Sequence, residues 1–287
     1  MSADAQRPGG AVIELTLGHS PDPDDAFMFW ALAKGQLDTG PYRFQHVLQD
    51  IQTLNERARR GELDITAISI HAYAYVADQY ALLPTGASMG DGYGPLVVAR
   101  RAIPRGELAR TTIAIPGTLT SAYLALRLAI GEFPHAIVPF DEIPARVAAG
   151  EFEAGLLIHE GQLTYRAAGL EACLDLGVWW RDETGLPLPL GGNAIHKRHD
   201  PRRRSEISRL LTASIRLGLE RRQEALGHAL GWARDLDRAL ADRFVGMYVN
   251  EWTLDYGERG RAAIRELLAR GHRAGVVPAV PALEFVA

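Results

Sequence analysis

Apolar runs of strand length alternate with segments of helical period along most of the chain. Three such units are predicted near the start, with strands over 11–19, 43–49 and 63–69 and helices over 24–35, 51–61 and 70–78. Strands that alternate with helices in this way are typical of an α/β protein with a largely parallel sheet. Residues 95–101 are predicted to be an extended segment that leaves this first unit.

A second α/β unit is predicted after residue 110. Its strands are expected over 111–117, 136–140 and 153–159, and its helices over 119–131 and 141–150. Two further extended segments are expected over 169–180 and 186–196. The second of these begins with prolines, which favour a crossover or an edge position over a central strand.

The pattern from about residue 202 to residue 272 is helical and contains no predicted strand. A strandless segment must pack on a sheet that already exists, and the first unit is the natural host. The chain would then cross twice between two lobes, near residues 100–110 and 186–196. We therefore predict a larger discontinuous lobe (1–108 and 192–287) and a smaller lobe (109–191), with a ligand cleft between them.

Composition narrows the class of protein. The 287 residues are 47% hydrophobic with a formal charge of −4, which fits a well-cored globular protein without a basic surface for nucleic acid. The N-terminal MSADAQRPGG lacks the apolar core of a secretory signal, and no apolar run is long enough for a membrane anchor. We therefore expect a cytoplasmic protein, and its oligomeric state is not predicted.

Two predicted turns offer candidate ligand contacts. Ser20 lies in the loop SPDPDD between a strand end and a helix start, where open α/β sheets bind ligands. Capping of the helix by Asp24 or Asp25 explains the same loop. Thr120 and Ser121 lie in a second loop between a strand end and a helix start. Free backbone amides at such a helix start suit a carboxylate or phosphate. Capping without a ligand explains these hydroxyls equally well.

His159 is the best acid/base candidate, because it closes the apolar run AGLLIH and is followed by Glu160. An imidazole exchanges a proton near neutral pH, and a carboxylate neighbour in space would fix its tautomer. A hydrogen-bonded structural histidine is the competing interpretation. His196 and His199 have a spacing seen in metal sites, but a clear third ligand is lacking, so no metal is expected.

Several of these segments, taken in order, resemble the 1,4-dihydroxy-6-naphthoate synthases of the futalosine route to menaquinone. The segments are SPDPDDAFMFWAL, DIQTLNERARRGELDITAISIHAYAYV, GYGPLVVAR, IPGTLTSAY, EAGLLIHEGQLTY, GLPLPLG and YVNEWTLDYGERG. Three positions, in two segments, depart from the family's pattern. This chain has SPDPDD where family members have SPCPND, and Ala67 where some relatives have lysine.

The resemblance implies a type-2 periplasmic-binding-protein-like fold, with two α/β lobes and a central cleft. It implies a lyase that converts cyclic dehypoxanthinyl futalosine, a small carboxylate, to 1,4-dihydroxy-6-naphthoate without an organic cofactor. The residue roles that it implies are a catalytic base at His159, substrate contacts at Thr120 and Ser121, and a binding strand end at Ala67, Ile68 and Ser69. Neutral His159 would remove a proton from the spiro-bicyclic substrate, and aromatisation would drive the carbon–carbon cleavage.

Two alternative functions stay open at this point. One is chorismate dehydratase of the same pathway, although LIHEG and GLPLPLG favour the synthase. The other is a non-catalytic solute-binding protein of the same fold, which would need an export signal or a lipidated cysteine.

Overall fold

The computed structural model describes residues 11–233 and 236–287, so the N-terminal segment that we interpreted as lacking a signal lies outside the described residues. The strands are β1 (Ile13–His19), β2 (Tyr42–Leu48), β3 (Ile65–Ser69), β4 (Tyr80–Leu82), β5 (Ser88–Gly90), β6 (Leu96–Ala99), β7 (Ile113–Ile115), β8 (His135–Ile137), β9 (Ala154–Leu157), β10 (Glu171–Asp175) and β11 (Leu188–His196).

The helices alternate with these strands and then fill the C-terminal third. They are α1 (Pro23–Met28), α2 (Trp30–Ala33), α3 (Ile51–Arg59), α4 (Ile70–Tyr73), α5 (Arg105–Leu108), α6 (Ser121–Ile130), α7 (Ile143–Ala148), α8 (Gly161–Thr164), α9 (Leu176–Thr184), α10 (Pro201–Glu220), α11 (Arg222–Ala229), α12 (Arg238–Tyr248), α13 (Glu251–Leu254) and α14 (Gly257–Arg273). In the part of the chain that the structure describes, no helix is long and apolar enough to cross a membrane.

The strands form two separate sheets. The first has the order β2-β1-β3-β11-β4, with β5 also paired to β11, and the second has the order β10-β6-β9-β7-β8. In the first sheet β1 is parallel to β2 and β3, while β11 runs antiparallel to its neighbours. The chain leaves the first sheet after Gly90 and returns to it at Leu188.

The first crossing between the sheets, after Gly90, comes earlier than the expected 100–110, whereas the return at Leu188 falls within the expected 186–196. β6 pairs antiparallel with β9 and β10, so it is part of the second sheet although it precedes residue 108. The division into lobes at 108 and 192 as folding units stays a prediction.

Strand β11 is central, so the expectation of an edge or crossover segment over 186–196 is wrong. The prolines do not disturb the centre, because Pro189 pairs only with β5, and pairing with β3 begins at Gly191. The extended segment expected over 169–180 is also only half correct. The strand ends at Asp175, whose side chain accepts hydrogen bonds from Gly177 N and Val178 N and so starts helix α9.

The C-terminal helices pack on the first sheet, as a strandless segment must. Ile207, Leu211 and Ile215 of α10 share one buried core with Leu15 and Leu17 of β1. A second buried core joins the two sheets. It includes Ile68 of β3, Leu124 of α6 and Ile264 of α14. The two sheets are therefore held on a common apolar base, which fixes the cleft between them.

Candidate active site

A cavity lies between the two sheets and is lined from both. The structure brings all the sequence-predicted site residues to this one cavity: Ser20, Ala67, Ile68, Ser69, Thr120, Ser121 and His159. They come from the carboxyl ends of β1, β3 and β9 and from the start of α6. Ends of strands that point the same way meet at one edge, which is why residues far apart in sequence converge here.

The loop after β1 is built around buried aspartates. Asp22 is the N-cap of α1 and accepts from Asp25 N at 3.2 Å, so the cap is neither Asp24 nor Asp25 as expected. Pro23 occupies the first helical position, so the cap is Asp22, two residues upstream of Asp24. Asp25 instead accepts from Ser20 N at 2.7 Å, which fixes the backbone of Ser20 at the cavity wall.

His159 is hydrogen-bonded to Asp22, which comes from the opposite sheet. The distance from His159 Nδ1 to Asp22 Oδ2 is 3.0 Å, and the Asp22 side chain is only 2% exposed. The imidazole also packs edge-on against Phe140, with ring centroids 4.8 Å apart. Its other nitrogen, Nε2, is buried and has no hydrogen-bond partner among the described residues. Asp22 therefore orients the ring and leaves Nε2 for a group in the cavity.

The backbone of His159 adopts an unusual conformation. Its φ is 52°, and within the described ranges it is the one residue other than glycine with a positive φ. Such a conformation costs about 1–3 kcal/mol and persists where the surroundings enforce it. Here the turn joins β9 to α8, and Gln162 N donates to His159 O at 3.2 Å. The turn directs the ring toward Asp22 instead of continuing the strand.

The charge at this site is concentrated on Asp22. Burial raises the pKa of Asp22, but the charge of His159 and the hydrogen bond from its ring outweigh burial and keep that pKa below its usual value. Burial and the charge of Asp22 raise the pKa of Asp24 and of Asp25 well above the usual range. Of the three carboxyls, Asp22 is therefore the one whose charged form the surroundings favour.

The same charge acts on the histidine. Burial lowers the pKa of His159, but the charge of Asp22 and the hydrogen bond to it outweigh burial, so the pKa is raised above its usual value. An imidazolium formed at this position is therefore stabilised. The pair is suited to receive a proton at Nε2 and to hold it.

Metal ligation is the other chemistry that this cluster offers. Among the described residues, Asp22, Asp24 and His159 are the group whose ligand atoms all lie within 4.8 Å of one another. The hydrogen bond between His159 and Asp22 already occupies two of those atoms, and burial raises the pKa of Asp24, so the arrangement fits proton transfer better. His196 and His199 are engaged elsewhere, through Arg198 N and Asp64 respectively.

Thr120 and Ser121 use their hydroxyls within the protein. Thr120 caps α6, accepting from Tyr123 N at 3.1 Å and donating to Gly117 O at 2.9 Å. Ser121 Oγ accepts from His71 N at 3.1 Å. The first bond of the helix runs from Leu124 N to Thr120 O, so the amides of Ser121 and Ala122 precede the hydrogen-bonded turns. Both residues line the cavity, which makes this helix end a place for an anion.

Helix α3 joins the two sides of the cavity at the end of β3. Asn55 is fully buried, donates to Ser69 Oγ and accepts from Ser69 N, both at 2.9 Å. One turn earlier, Gln52 accepts from Leu119 N at 2.9 Å. The strand end and the loop before α6 are therefore held by neighbouring side chains of one helix. The sequence contained a signal for this role, since Asn55 is a polar residue on the buried side of an amphipathic helix.

Sequence reasoning missed several other cavity residues. Asp22 was not identified as the partner of His159, because nothing local connects the two. Asn193 and the hydrogen-bonded pair of Tyr248 and Gln162, joined at 2.7 Å, also line the cavity. A polar Asn193 in an otherwise apolar and glycine-rich strand was the available signal.

Comparison with known proteins places this site in a family. A family model described as menaquinone biosynthesis matches residues 15–273. The 1,4-dihydroxy-6-naphthoate synthase of Streptomyces coelicolor is 38% identical over 274 residues, covering 93% of this chain and 95% of the relative. The enzyme of the same name from Thermus thermophilus is 39% identical over 272 residues, covering 95% and 99%.

Solved structures give the fold. A crystal structure of an Archaeoglobus fulgidus protein matches with a TM-score of 0.89 at 44% identity, covering 92% of this chain and 98% of that one. The alkanesulfonate-binding protein of Xanthomonas axonopodis matches with a TM-score of 0.69 at 12% identity, covering 96% and 98%. The second likeness concerns the fold alone. The predicted periplasmic-binding-protein-like α/β fold is thus confirmed.

Proposed function

This chain belongs to the menaquinone biosynthesis family, and from this premise we propose that His159 is the catalytic base of its reaction. The chain is a lyase of menaquinone biosynthesis with the activity of 1,4-dihydroxy-6-naphthoate synthase. The reaction is the conversion of cyclic dehypoxanthinyl futalosine to 1,4-dihydroxy-6-naphthoate. The roles of individual residues in this conversion are our proposal.

The observation that carries the proposal is the orientation of His159. Its Nδ1 is bonded to Asp22 at 3.0 Å, while Nε2 is buried at the cavity without a partner in the described parts of the chain. Neutral His159 takes a proton from the substrate at Nε2, and Asp22 stabilises the imidazolium. The carbon–carbon bond then breaks as the product ring becomes aromatic, and the proton returns from His159 to the products.

The substrate carboxylate is proposed to bind at the start of α6. The amides of Ser121 and Ala122 point along the helix axis, where the helix dipole also favours an anion. Ser20 and the strand end Ala67–Ser69 line the opposite wall and are proposed to contact the rest of the substrate. Enclosure between two lobes excludes water and positions the base.

The relatives also support a proposal about the compartment, the substrate class and the cofactor requirement of the reaction. Because the relatives are biosynthetic enzymes, we propose that this chain acts in the cytoplasm on a small carboxylate, without an organic cofactor or a metal.

The direct test is an assay of the purified protein with each candidate substrate. We expect naphthoate to form from cyclic dehypoxanthinyl futalosine and chorismate to remain unchanged. Dehydration of chorismate would favour the alternative enzyme of the pathway. Tight binding of either compound without turnover would favour a solute-binding protein.

The carboxylate site has a sharper test in two variants at one position. Ser121→Ala keeps the amide and removes the hydroxyl, so we expect KM to rise only a few-fold. Ser121→Pro also removes the amide, while proline is well tolerated at the first helical position and the Thr120 ψ of 148° suits a following proline. A hydrogen bond to a charged group contributes about 1.5–3 kcal/mol, so KM should rise about 10–100-fold. Equal KM values in the two variants would place the carboxylate elsewhere.

A further inference from the structure

Asn193 is a buried polar side chain to which neither the family resemblance nor the proposed mechanism assigns a role. It lies in the central strand β11, is 1% exposed and lines the cavity. Its backbone is fixed by the sheet, since it pairs with Ala67 and its carbonyl accepts from Leu83 N at 2.8 Å. The side chain thus starts from a backbone that is hydrogen-bonded within the sheet.

The side-chain amide nitrogen of Asn193 has no hydrogen-bond partner within the residues that the structure describes. A buried donor without a partner costs about 1–3 kcal/mol, and native structures keep few of them. Two other cavity residues also have a buried polar atom without a hydrogen-bond partner in the described part of the chain. These atoms are Nε2 of His159 and a carboxyl oxygen of Asp24. Of the three, the amide of Asn193 is a donor in every protonation state.

The neighbouring loop makes room for this amide. A Cβ at Gly86 would lie 2.0 Å from Asn193 Nδ2, and the φ of Gly86 is +87°, so only glycine fits there. The loop itself is anchored, since Gly86 N donates to Thr253 O at 2.7 Å. The amide is therefore confined on one side by backbone and faces the cavity on the other.

We propose that Asn193 donates a hydrogen bond to the carbonyl oxygen attached to the substrate ring, on which negative charge accumulates as His159 removes the proton and the carbon–carbon bond breaks. This inference rests on the proposed function. In this step a hydroxyl proton of the substrate goes to His159 Nε2, and the electron pair of that O–H bond forms a carbonyl in the departing fragment as the carbon–carbon bond breaks. The pair of the broken bond is delocalised through the ring onto its carbonyl oxygen, and His159 returns the proton to this oxygen as the ring becomes aromatic. Asn193 forms no covalent bond, and no further reactant is needed.

A neutral donor suits this oxygen for a physical reason. A fixed donor that meets the oxygen stabilises the charged transition state more than the neutral ground state, because the hydrogen bond strengthens as charge develops. The substrate carboxylate, which is charged throughout, has its own proposed site at the start of α6. Loss of Asn193 should therefore lower kcat more than it raises KM.

The test uses two variants of the full chain and one matched control. Asn193→Asp has the same shape but replaces the donor with an acceptor, and Asn193→Ala removes the amide. Loss of one such donor typically lowers kcat by about 10²–10³-fold. We expect a loss of that size in both variants, with KM changed only a few-fold and the thermal midpoint changed little. Asn250→Ala, which removes a helix cap outside the cavity, should lower the midpoint and leave kcat unchanged.

Two outcomes would overturn the inference. One is a kcat within about threefold of the parent in folded Asn193→Asp and Asn193→Ala. The other is a lowered thermal midpoint with unchanged kcat, which is what a purely structural asparagine predicts. If the parent protein forms no naphthoate, the proposed function itself fails, and that result is separate from either outcome.

A measurement on the parent protein covers the case in which the variants do not fold. The chain has three asparagines, Asn55, Asn193 and Asn250, so protein labelled with ¹⁵N at asparagine gives three side-chain amide signals. Titration with 1,4-dihydroxy-6-naphthoate should shift the Asn193 signal strongly and leave that of Asn250 in place. An unshifted Asn193 signal at saturation would overturn the inference.

Discussion

Two histidines of this protein are hydrogen-bonded to aspartates at nearly the same distance, yet their surroundings differ. His159 lies 3.0 Å from Asp22 at the cavity, and His199 lies 2.9 Å from Asp64 at the far end of the first sheet. Asp64 also accepts from Thr16 N at 2.9 Å, so it holds the segment after β11 against β1. The hydrogen bonds of this second pair join β1, the residue before β3 and the segment after β11, which belong to one sheet.

The pair at the cavity leaves one atom unused. His159 Nε2 has no partner in the described ranges and belongs to a residue that lines the cavity. The backbone of His159 is strained by its positive φ, whereas the backbone of His199 has no positive φ. A histidine next to a carboxylate therefore does not by itself indicate catalysis. The indicator is a buried ring nitrogen that the protein leaves free for a ligand.

The variant with the largest expected effect on this distinction between the two histidines removes the proposed base. His159→Asn should lower kcat by about 10²–10⁴-fold, the usual contribution of general acid/base catalysis. The fold should survive, because asparagine tolerates a positive φ better than most residues. The variant needs kcat and the thermal midpoint measured on one preparation. Turnover within a few-fold of the parent would exclude His159 as the base.

Replacing the orienting carboxylate should have the next largest effect. Asn is as good an N-cap as Asp, so Asp22→Asn keeps the start of α1 and removes only the charge. We expect kcat to fall by about 10–10²-fold, toward the lower end of acid/base contributions. Because Asp22 raises the pKa of His159, its loss should move the acid limb of the kcat/KM profile to lower pH. An unchanged profile would show that Asp22 does not act through His159.

The same substitution in the second pair should affect stability alone. Asp64→Asn loses the charge that binds His199 and Arg198, and hydrogen bonds to charged groups contribute about 1.5–3 kcal/mol. Because the Arg198 contact is exposed, we expect a loss of about 1–2 kcal/mol in the free energy of unfolding. That corresponds to about 2–8 °C in the thermal midpoint for a chain of this size. A drop in kcat for this variant would contradict the distinction between the pairs.

The smallest effect concerns pH. Burial raises the pKa of Asp64, but hydrogen bonds from His199 and Thr16 outweigh it, so the pKa is strongly lowered in the folded state. The stability that this group contributes is then fully present above the unfolded pKa of about 4 and is lost as pH falls below it. Denaturant unfolding of the parent and of Asp64→Asn should differ by a constant amount from pH 7 to pH 5. That difference should shrink below about pH 4.

Local sequence pattern predicted most of the elements. The strands β1, β3, β7 and β9 and the helices α3, α6 and α7 lie within the predicted segments, and β2 begins one residue before its predicted segment. The short strands β4 and β5 were missed, because three residues give no periodicity to detect. The central position of β11 was predicted wrongly. Pro187 precedes the strand and Pro189 lies in the part that pairs only with β5, a fact that depends on the register between strands.

The candidate site likewise contains residues that local sequence pattern predicts and residues that it does not. The sequence by itself placed His159, Thr120, Ser121, Ser20 and Ala67–Ser69 at strand ends and helix starts, because those positions follow from chain-local periodicity and turn chemistry. The pairing of Asp22 with His159 and the position of Asn193 at the same cavity follow instead from the packing of the two sheets. Hydrogen bonds between residues far apart in the chain depend on how two sheets are placed against each other, and no local pattern of residues encodes that distance.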